Sequence, residues 1–508
     1  MKELSSASRA HREILLSDPY RPAYHFAFPD NKGDPGDPNG AFYADGIYHL
    51  MYLYLNLETN GYHWGHISSV DLLHWRHHPD ALTVEDGDGG CWSGGAFVDD
   101  DKTAYLTFWK LPAKDPQKDH GGIAIACAKP PYDIWERIRP IAIEGNKNEW
   151  GVTDIEQNGI MEHISCADPS NIWKINGWYY MQTGNKLVLD NWGRKEDSDP
   201  HYQGDWTDLF RSRDLKTWSF VHRFYQNPHK DKDWPDKTED DMCPSFFPLY
   251  DAMEYGKQTD KWLQLFISHN RGCQYYVGTL QYETFIPEIH GRMSWKESTY
   301  FAPEALVDDR NRQIMWAWML DERDHVLDRF GWMGIYSFPR ALWWNNGQLH
   351  MAPVRELDRL QYNHQKPVIS EDNQLNIKNG ELFRIKAVID MSNQEEAGFD
   401  IRVSSGRTSY ARVSYNKKDC TLSIDTIPIV GESAKRKEEA PFFLEPNESL
   451  SLDIFVDRSV IEVYANERQA LCRRVYPENP LDTGVYLVGD KDAVVSLDAW
   501  EMAPANPY

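Results

Sequence analysis

Short runs of β-branched and aromatic residues dominate the hydrophobic pattern of this chain, and each run ends at Gly, Asp, Asn or Pro. No long segment with the 3.6-residue period of an amphipathic helix stands out. Brief apolar runs between turn residues are typical of strands joined by tight connections. The pattern therefore predicts an all-β protein.

A polar turn followed by an aromatic-rich strand recurs along the first two thirds of the chain. Five copies are visible, and they begin at Asp45, Asp101, Asn176, Asp260 and Asn311. A second element, Ser-x-Asp-Leu-x-x-Trp, occurs at 69–75 and again at 212–218. Such units at intervals of tens of residues are typical of propeller blades, although aromatic hairpins also occur in other β proteins. We therefore expect a five-bladed β-propeller over residues 17–359.

The pattern changes to strict alternation after a polar stretch at 356–367. Residues 452–457 read Leu-Asp-Ile-Phe-Val-Asp, and residues 460–464 read Val-Ile-Glu-Val-Tyr. A period of two with one polar face is typical of strands in a sandwich. We expect a second, smaller β-sandwich domain at 368–508.

The excess of acidic residues excludes some classes of binding partner. The chain has 54 Lys and Arg against 78 Asp and Glu, a formal net charge of −24. Phosphate contacts need clustered basic residues, so the excess of acid argues against a nucleic-acid partner and against an anionic membrane surface. Aromatic residues make up 13% of the chain, and some of them could stack on sugar rings.

The cysteines and the N-terminus suggest a reducing compartment. Seven cysteines are widely spaced without a Cys-x-x-Cys pair, which disfavours a disulfide framework and a zinc site. The first twelve residues are polar and show no secretory signal. From these features we expect a cytoplasmic protein.

Three acidic segments precede strands of the repeat. Asp37 lies in Gly-Asp-Pro-Asn-Gly before the first copy, and Asp168 lies in Cys-Ala-Asp-Pro-Ser before the third. An acidic run, Thr-Glu-Asp-Asp-Met-Cys-Pro from residue 238, leads to the fourth. Each could be an ordinary turn or a solvated loop. At the inner ends of blades, however, the carboxylates would converge, and two carboxylates are the minimal apparatus for glycosidic hydrolysis.

The motifs together resemble those of glycoside hydrolase family 32, which contains invertases, inulinases and levanases. The matching segments are Asp-Pro-Asn-Gly at 37–40, Trp-Ser-Gly-Gly-Ala at 92–96, Ala-Asp-Pro at 167–169, Met-Cys-Pro at 242–244, Tyr-Phe-Ala-Pro at 300–303 and Phe-Val-Asp-Arg-Ser-Val-Ile-Glu-Val at 455–463. The resemblance implies a five-bladed propeller followed by a sandwich, with Asp37 as the nucleophile and Asp168 as the stabiliser of the transition state.

The chain departs from the family pattern at three places. Residues 34–36 replace the usual Trp-Met-Asn, Ala167 replaces an Arg, and Met242 replaces the Glu that acts as acid/base. Since Met242 carries no proton, we expect Glu239 to take that role, with Asp240 and Asp241 as alternatives. These changes predict an altered fructose-binding subsite.

The motifs also suggest which residues contact the substrate. Asn39, Trp92 and Ser93 belong to them, and Trp64 is a candidate for stacking on a sugar, with a core position as the alternative. The histidines between positions 63 and 78 have no helical His-x-x-x-His spacing, so no metal site is expected. No cofactor is expected either.

The sequence thus predicts a retaining glycosidase that hydrolyses or transfers β-fructofuranosyl units of sucrose-like sugars, fructo-oligosaccharides or fructans. Its partner would be an oligosaccharide or polysaccharide, and the oligomeric state stays open. Two rivals remain. One is a non-catalytic carbohydrate-binding protein on the same fold, which the loss of the Glu favours. The other is a related furanosidase that acts on another sugar.

Overall fold

The computed structural model describes residues 2–28, 33–85, 88–113, 119–147, 149–157, 159–190, 200–202, 204–227, 239–269, 271–295, 300–321, 323, 329–427 and 437–506. Strands dominate these segments, which confirms the all-β prediction. Helical segments include α1 (Lys2–Leu16) and the short α2 (Lys186–Leu189). Within the described ranges, no helix has the length and apolar character needed to cross a bilayer.

The chain divides into two compact units, and the first consists of residues Lys32–Arg292 and Phe301–Trp318. Its first sheet contains, in order, β1 (Gly33–Ala44), β2 (Ile47–Asn56), β3 (Gly61–Ser69) and β4 (Arg76–Leu82). The second contains β5 (Ala96–Val98), β6 (Ala104–Lys110), β7 (Gly122–Ala128) and β8 (Glu136–Arg137), and β9 (Ile143–Glu144) also pairs with β7. A separate hairpin is formed by β10 (Val152–Gln157) and β11 (Ile160–Ser165).

Two further sheets and a strand pair complete this unit. The third sheet has the strands β12 (Ala167–Pro169), β13 (Trp173–Ile175), β14 (Trp178–Gly184), β15 (Asp205–Ser212) and β16 (Trp218–Asn227). The fourth has β17 (Met242–Tyr250), β18 (Gln258–Ser268), β19 (Gly272–Gln281) and β20 (Thr284–Arg292). The adjacent strands β21 (Tyr300–Val307) and β22 (Gln313–Met319) follow. Neighbouring strands in these four sheets pair antiparallel, as β1 with β2, β6 with β7, β14 with β15 and β17 with β18 do.

The repeated Ser-x-Asp-Leu-x-x-Trp element forms the same turn in two sheets. It joins β3 to β4 in the first sheet and β15 to β16 in the third. Asp71 accepts hydrogen bonds from the backbone N–H groups two and three residues later, and Asp214 does the same. The buried leucines Leu72 and Leu215 both have positive φ values, 64° and 61°. The repeated Ser-x-Asp-Leu-x-x-Trp element therefore occupies equivalent positions in the two sheets.

The second unit consists of residues Met1–Asn31, Met293–Tyr300 and Met319–Tyr508. It contains β23 (Ile335–Tyr336) and the hairpin of β24 (Arg340–Asn345) and β25 (Gln348–Pro353). Eleven strands follow: β26 (Gln361–Gln365), β27 (Leu382–Ile389), β28 (Glu396–Val403), β29 (Tyr410–Asn416), β30 (Thr421–Ile427), β31 (Lys437–Pro441), β32 (Leu450–Asp457), β33 (Val460–Ala465), β34 (Gln469–Arg474), β35 (Gly484–Val488) and β36 (Val494–Met502). They form a six-stranded sheet in the order β26-β36-β27-β32-β33-β34 and a five-stranded sheet in the order β31-β30-β29-β28-β35.

One hydrophobic cluster joins these two sheets. Ile385, Ile454 and Val463 come from the six-stranded sheet, and Phe399 and Val413 come from the five-stranded one. All are fully buried. Strict alternation along each strand sends these side chains to one face, and this is the pattern that the sequence shows at 452–457.

The Phe-Val-Asp-Arg-Ser motif anchors the N-terminal segment of the same unit. Both oxygens of the Asp457 carboxylate accept backbone N–H groups of residues 23–25, at 2.6–2.9 Å. The His25 ring bonds Asp457 through Nδ1 (2.9 Å) and Glu462 through Nε2 (3.3 Å). The motif therefore has a structural role here, since it holds residues 23–25 in place.

Candidate active site

Asp37 lies on an irregular part of β1, where the pairing with β2 shifts twice, between Pro35 and Pro38 and between Asn39 and Phe42. Such bulges re-aim side chains, and they are common beside active sites. The buried Asn39 amide holds this segment in two ways. Its Nδ2 donates to the Asp37 carbonyl oxygen (3.0 Å), and its Oδ1 accepts the Gly94 N–H (3.0 Å). Asn39 therefore joins the Asp-Pro-Asn-Gly and Trp-Ser-Gly-Gly segments.

The Trp-Ser-Gly-Gly loop provides the direct partner of Asp37. The buried Ser93 hydroxyl donates a short hydrogen bond of 2.6 Å to Asp37 Oδ2. The adjacent Trp92 is partly exposed, and its ring contacts the rings of Trp109 and Trp150 edge-on, at 4.8 and 5.2 Å. Trp92 and Trp150 also line an open cavity together with Gly89, Leu111 and Pro112. The loop thus combines a fixed carboxylate with an accessible aromatic surface.

Cys243 brings the second carboxylate to the first. Its thiol lies 3.5 Å from Asp37 Oδ2 and 3.4 Å from Asp168 Oδ2. Its backbone N–H also donates to Asp168 Oδ2, at 3.3 Å. Asp37, Asp168 and Cys243 come from β1, β12 and β17, three strands of three different sheets. The convergence of carboxylates expected from the sequence is therefore present for this pair.

The backbone is strained at this point. Asp168, Asp241 and Cys243 have positive φ values of 36°, 45° and 50°. Left-handed conformations of non-glycine residues are costly, and they cluster at functional sites. Here the strain turns the Asp168 carboxylate and the Cys243 thiol toward each other.

The two carboxylates differ in their electrostatic environment. Burial raises the pKa of Asp37, while hydrogen bonds from Ser93 and Cys243 oppose that effect. Burial and the charge of Asp37 raise the pKa of Asp168 to about 7. Two neighbouring like charges cannot both ionise without cost. Near neutral pH the pair therefore holds a proton, and Asp37 is the better candidate for the ionised partner.

The acidic run is buried rather than solvated. Glu239, Asp240 and Asp241 are each 0% exposed. The Glu239 carboxylate forms an ion pair with Arg271 and accepts a hydrogen bond from Gln274 Nε2 at 3.2 Å. Burial and the carboxylate of Asp205 raise the pKa of Asp241 well above its ordinary value. The expectation of a general acid at Glu239 stays a prediction, and this carboxylate is already engaged.

The structure places Trp64 in the core. Its side chain is fully buried, and Nε1 donates to the Trp92 carbonyl oxygen at 3.2 Å. It presents no face to a sugar, so the core alternative describes its position. Of the two tryptophans that the sequence suggests as substrate contacts, Trp92 is the accessible one.

Sequence reasoning missed His269, which follows the last residue of β18. Its ring Nδ1 lies 3.3 Å from Asp240 Oδ2, and its charge lowers the pKa of both Asp37 and Asp168. No local motif marks this residue. Only the pairing of Met242 with Ile267 across β17 and β18 could have drawn attention to it.

The described residues contain no group of three or more His, Cys, Asp and Glu side chains arranged to hold a metal ion. The side chains gathered at the site supply two carboxylates, a hydroxyl, a thiol and an imidazole. Paired carboxylates of unequal pKa support nucleophilic and acid–base chemistry at a glycosidic carbon.

Comparisons with known proteins agree with this geometry. Residues 25–353 match the glycosyl hydrolases family 32 N-terminal domain, and residues 355–501 match the family's C-terminal domain. A fructan 6-exohydrolase from Beta vulgaris is 23% identical over 98% of this chain and 89% of its own length. A raffinose invertase from Escherichia coli is 26% identical over 94% of both chains.

Solved structures share the fold. A sucrose-6-phosphate hydrolase from Lactobacillus gasseri superimposes with a TM-score of 0.75 at 20% identity, covering 99% of this chain and 97% of its own. Fructan 1-exohydrolase IIa from Cichorium intybus gives a TM-score of 0.74 at 20% identity, covering 96% and 98%. Because the two domain matches together span nearly the whole chain, this protein belongs to glycosyl hydrolase family 32.

Proposed function

We propose that this protein is a retaining glycosidase that cleaves β-fructofuranosides such as sucrose-like sugars, fructo-oligosaccharides or fructans. The observation that carries the proposal is the meeting of Asp37 and Asp168 on the Cys243 thiol, in a member of this family. Relatives named as a levanase, a raffinose invertase and a fructan exohydrolase support the substrate class.

In this mechanism Asp37 attacks the anomeric carbon and forms a covalent fructosyl-enzyme. Ser93 orients the attacking carboxylate through its hydrogen bond of 2.6 Å. Asp168 binds hydroxyl groups of the sugar and stabilises the positive charge that develops on the ring. Water then releases the sugar, or an acceptor sugar takes it. Ala167, in place of the family Arg, removes one contact to the fructose ring.

The fold proposal follows the same family. The four sheets of the first unit and the β21–β22 pair would be the five blades of a propeller, and the two sheets of the second unit would be the sandwich. The convergence of strands from three sheets on Cys243 supports this arrangement, since blades place their inner strands around a common axis. The domain limits of 17–359 and 368–508 stay predictions.

The rival of a non-catalytic sugar-binding protein has one specific support, the Met242 that stands at the position of the family Glu. Against it stand the Asp37 and Asp168 carboxylates, which the Cys243 thiol brings together and which are the paired groups that glycosidic hydrolysis needs. Product analysis with sucrose, inulin, levan and short fructo-oligosaccharides separates the two functions.

Asp37→Asn is expected to fold normally and to lose ~10⁴-fold or more in kcat, because removal of a covalent nucleophile closes the whole pathway. Steady-state hydrolysis of the best fructoside in that panel measures the loss, and circular dichroism checks the fold. Near-normal turnover by folded Asp37→Asn would remove Asp37 from the role of nucleophile.

Two inversions at the anomeric carbon should give net retention. Time-resolved proton NMR of the first-formed product shows its anomeric configuration before mutarotation. Methanol as the acceptor gives a stable methyl fructoside, in which the configuration is fixed. An inverted product would mean that Asp37 activates water rather than attacks the sugar.

A further inference from the structure

The departing oxygen of a glycoside needs a proton, and the two carboxylates on Cys243 leave the donor unassigned. Strand pairing indicates where a donor can stand. Met242, the first residue of β17, pairs with Ile267 on β18. His269 lies two residues beyond Ile267, at the same edge of the fourth sheet. Cys243, which touches both carboxylates, directly follows Met242.

His269 is held by a buried carboxylate. Its backbone N–H donates to Asp240 Oδ1 and Oδ2 at 3.3 and 3.0 Å, and its ring Nδ1 lies 3.3 Å from Asp240 Oδ2. Asp240 is 0% exposed, whereas the His269 side chain is 40% exposed. The edge of the Phe301 ring contacts the imidazole, with centroids 5.7 Å apart. A buried carboxylate thus fixes an accessible imidazole, which is the usual arrangement of a base and the group that orients it.

The surrounding charges favour the protonated ring. Burial lowers the pKa of His269, but the Asp240 hydrogen bond and the charges of Asp240, Asp168 and Asp37 outweigh it, so the net shift is upward. His269 in turn lowers the pKa of Asp37 and Asp168. These mutual effects place the ring within electrostatic reach of both carboxylates. These charges therefore favour the imidazolium form of His269 relative to a free histidine.

We propose that His269, oriented by Asp240, is the general acid and base of the reaction, an inference that rests on the proposed function. With Nδ1 held by Asp240, Nε2 gives its proton to the glycosidic oxygen as that oxygen leaves the anomeric carbon. An electron pair of the Asp37 carboxylate forms the new bond to that carbon. In the second step the neutral ring takes a proton from water. The oxygen of this water bonds to the anomeric carbon, and Asp37 departs as a carboxylate.

The other candidate donors are less suited. The Glu239 carboxylate is fully buried and engaged by Arg271 and Gln274, so it would have to leave an ion pair to reach a substrate. Asp168 holds a proton near neutral pH, but it is 5% exposed and also bonded by the Cys243 N–H. His269 combines accessibility with a fixed orientation.

The experiment compares sucrose, a substrate with a poor leaving group, with a β-fructofuranoside that carries an activated leaving group. His269→Ala should lose ~10²–10⁴-fold in kcat/KM on sucrose, as is typical of a lost general acid, and less than ~10-fold on the activated substrate. Added imidazole should restore part of the sucrose activity. In the wild type, kcat/KM on sucrose should fall at alkaline pH, and His269→Ala should lack this decline.

Two further variants test position and specificity. Asp240→Asn keeps an acceptor for the His269 N–H but removes the charge, so the alkaline decline should move to lower pH while sucrose activity is partly kept. His364→Ala is the matched control. His364 in the second unit also bonds an aspartate, Asp498 at 2.7 Å, and its side chain is 49% exposed. The His364→Ala variant should keep the wild-type kcat/KM on both substrates.

The outcomes separate this inference from the proposed function. A folded His269→Ala enzyme with the wild-type ratio between the two substrates overturns the role of His269. The same holds if Glu239→Gln or Asp168→Asn shows the leaving-group pattern and His269→Ala does not. Wild-type protein that cleaves neither fructoside overturns the proposed function itself, and His269 then has no leaving group to protonate.

Discussion

Ser93 sets the ionisation of the proposed nucleophile through one hydrogen bond of 2.6 Å. That bond lowers the pKa of Asp37, against the effect of burial. Ser93→Ala should therefore raise the Asp37 pKa further and move the acidic side of the kcat/KM profile to higher pH. Since hydrogen bonds to charged groups contribute about 1.5–3 kcal/mol, we expect a loss of roughly 10- to 100-fold at pH 5.

A matched serine tests whether this effect belongs to the site. Ser69 is equally buried, and its hydroxyl donates to Asp71 Oδ1 at 3.1 Å in the turn after β3. Ser69→Ala should leave the pH profile unchanged. An unshifted acidic side in Ser93→Ala would mean that another group controls it.

The sequence could predict that the carboxylates of Asp37 and Asp168 approach each other, because their motifs are local and each precedes a strand of the repeat. Their catalytic roles stay predictions. It could not predict the fate of Glu239. The partner of that carboxylate, Arg271, lies 32 residues away on the next hairpin, and only the register of β17 against β18 brings the two together. His269 could not be predicted for the same reason, because the pairing of β17 with β18 and not local spacing brings it to this edge of the sheet.

At the scale of elements, two glycines allow the loop that carries Ser93 to pack against β6 of the second sheet and against the segment between β12 and β13 of the third. A Cβ atom on Gly95 would lie 2.3 Å from the backbone nitrogen of Asn171, and one on Gly94 would lie 2.0 Å from the Thr107 carbonyl oxygen. Both neighbours are backbone atoms, which cannot move aside as a side chain can. The close approach is therefore part of how the loop is positioned.

Gly95→Ala is accordingly expected to destabilise the fold by ~1–3 kcal/mol or more, the usual cost of overpacking. Because Ser93 lies two residues away, activity should fall as well. Thermal unfolding and sucrose hydrolysis measure the two effects.

Gly406→Ala serves as the comparison for Gly95→Ala, since a Cβ there meets nothing closer than 3.8 Å. It should change neither quantity. An equal loss of stability in both variants would show that the contact with Asn171 does not matter.

The repeated polar turns can be compared with the strands that follow them. Four of the five repeated turns lie where the sequence places them, before β2, β6, β14 and β22. Asp45, Asn176 and Asn311 take the left-handed turn conformation that Asp and Asn tolerate. In the second copy, Lys102 takes this conformation instead. The fourth copy differs, since Asp260 lies inside β18, which begins at Gln258. There the pairing with β17 extends the strand beyond the expected turn, and strand pairing is a long-range effect.

At the scale of the whole molecule, burial raises the pKa of several carboxyl groups and so disfavours their ionised form. Burial raises the pKa of Asp208 to about 7, and it raises the pKa of Glu304 well above its ordinary value. Asp168 belongs to the same group, with a pKa of about 7. The chain also carries a net charge of −24, so each further ionisation adds to the repulsion within the protein.

Taken by themselves, these raised carboxyl pKa values make the protein more stable at pH 5 than at pH 8. A carboxyl group with a raised pKa binds its proton more tightly when folded. Its contribution to the free energy of unfolding therefore declines from pH 3.8 to its folded pKa and is constant above that. His25 acts in the same direction, because its pKa is raised above 6.5 and its stabilising effect is lost as the pH rises from 6.5 through the higher folded pKa. His49 and His66 act in the opposite direction between pH 5 and 6.5, because burial lowers the pKa of His49 to about 4 and that of His66 to about 2. The effect of Glu462, whose pKa is lowered, falls below pH 4.5 and outside this range.

Asp208→Asn isolates the effect without touching the site. Asn can still accept the Ser165 N–H, which Asp208 Oδ2 accepts at 3.1 Å, but it cannot ionise. At 1.36 kcal/mol per pKa unit, this variant should remove on the order of 2–3 kcal/mol of the difference between pH 5 and pH 8. Asp214→Asn is the control, because the pKa of Asp214 is lowered to about 2 by backbone hydrogen bonds and that group stays ionised throughout the range. It should shift the unfolding temperature equally at both pH values, and an unchanged pH slope in Asp208→Asn would mean that Asp208 is ionised in the folded protein already at pH 5.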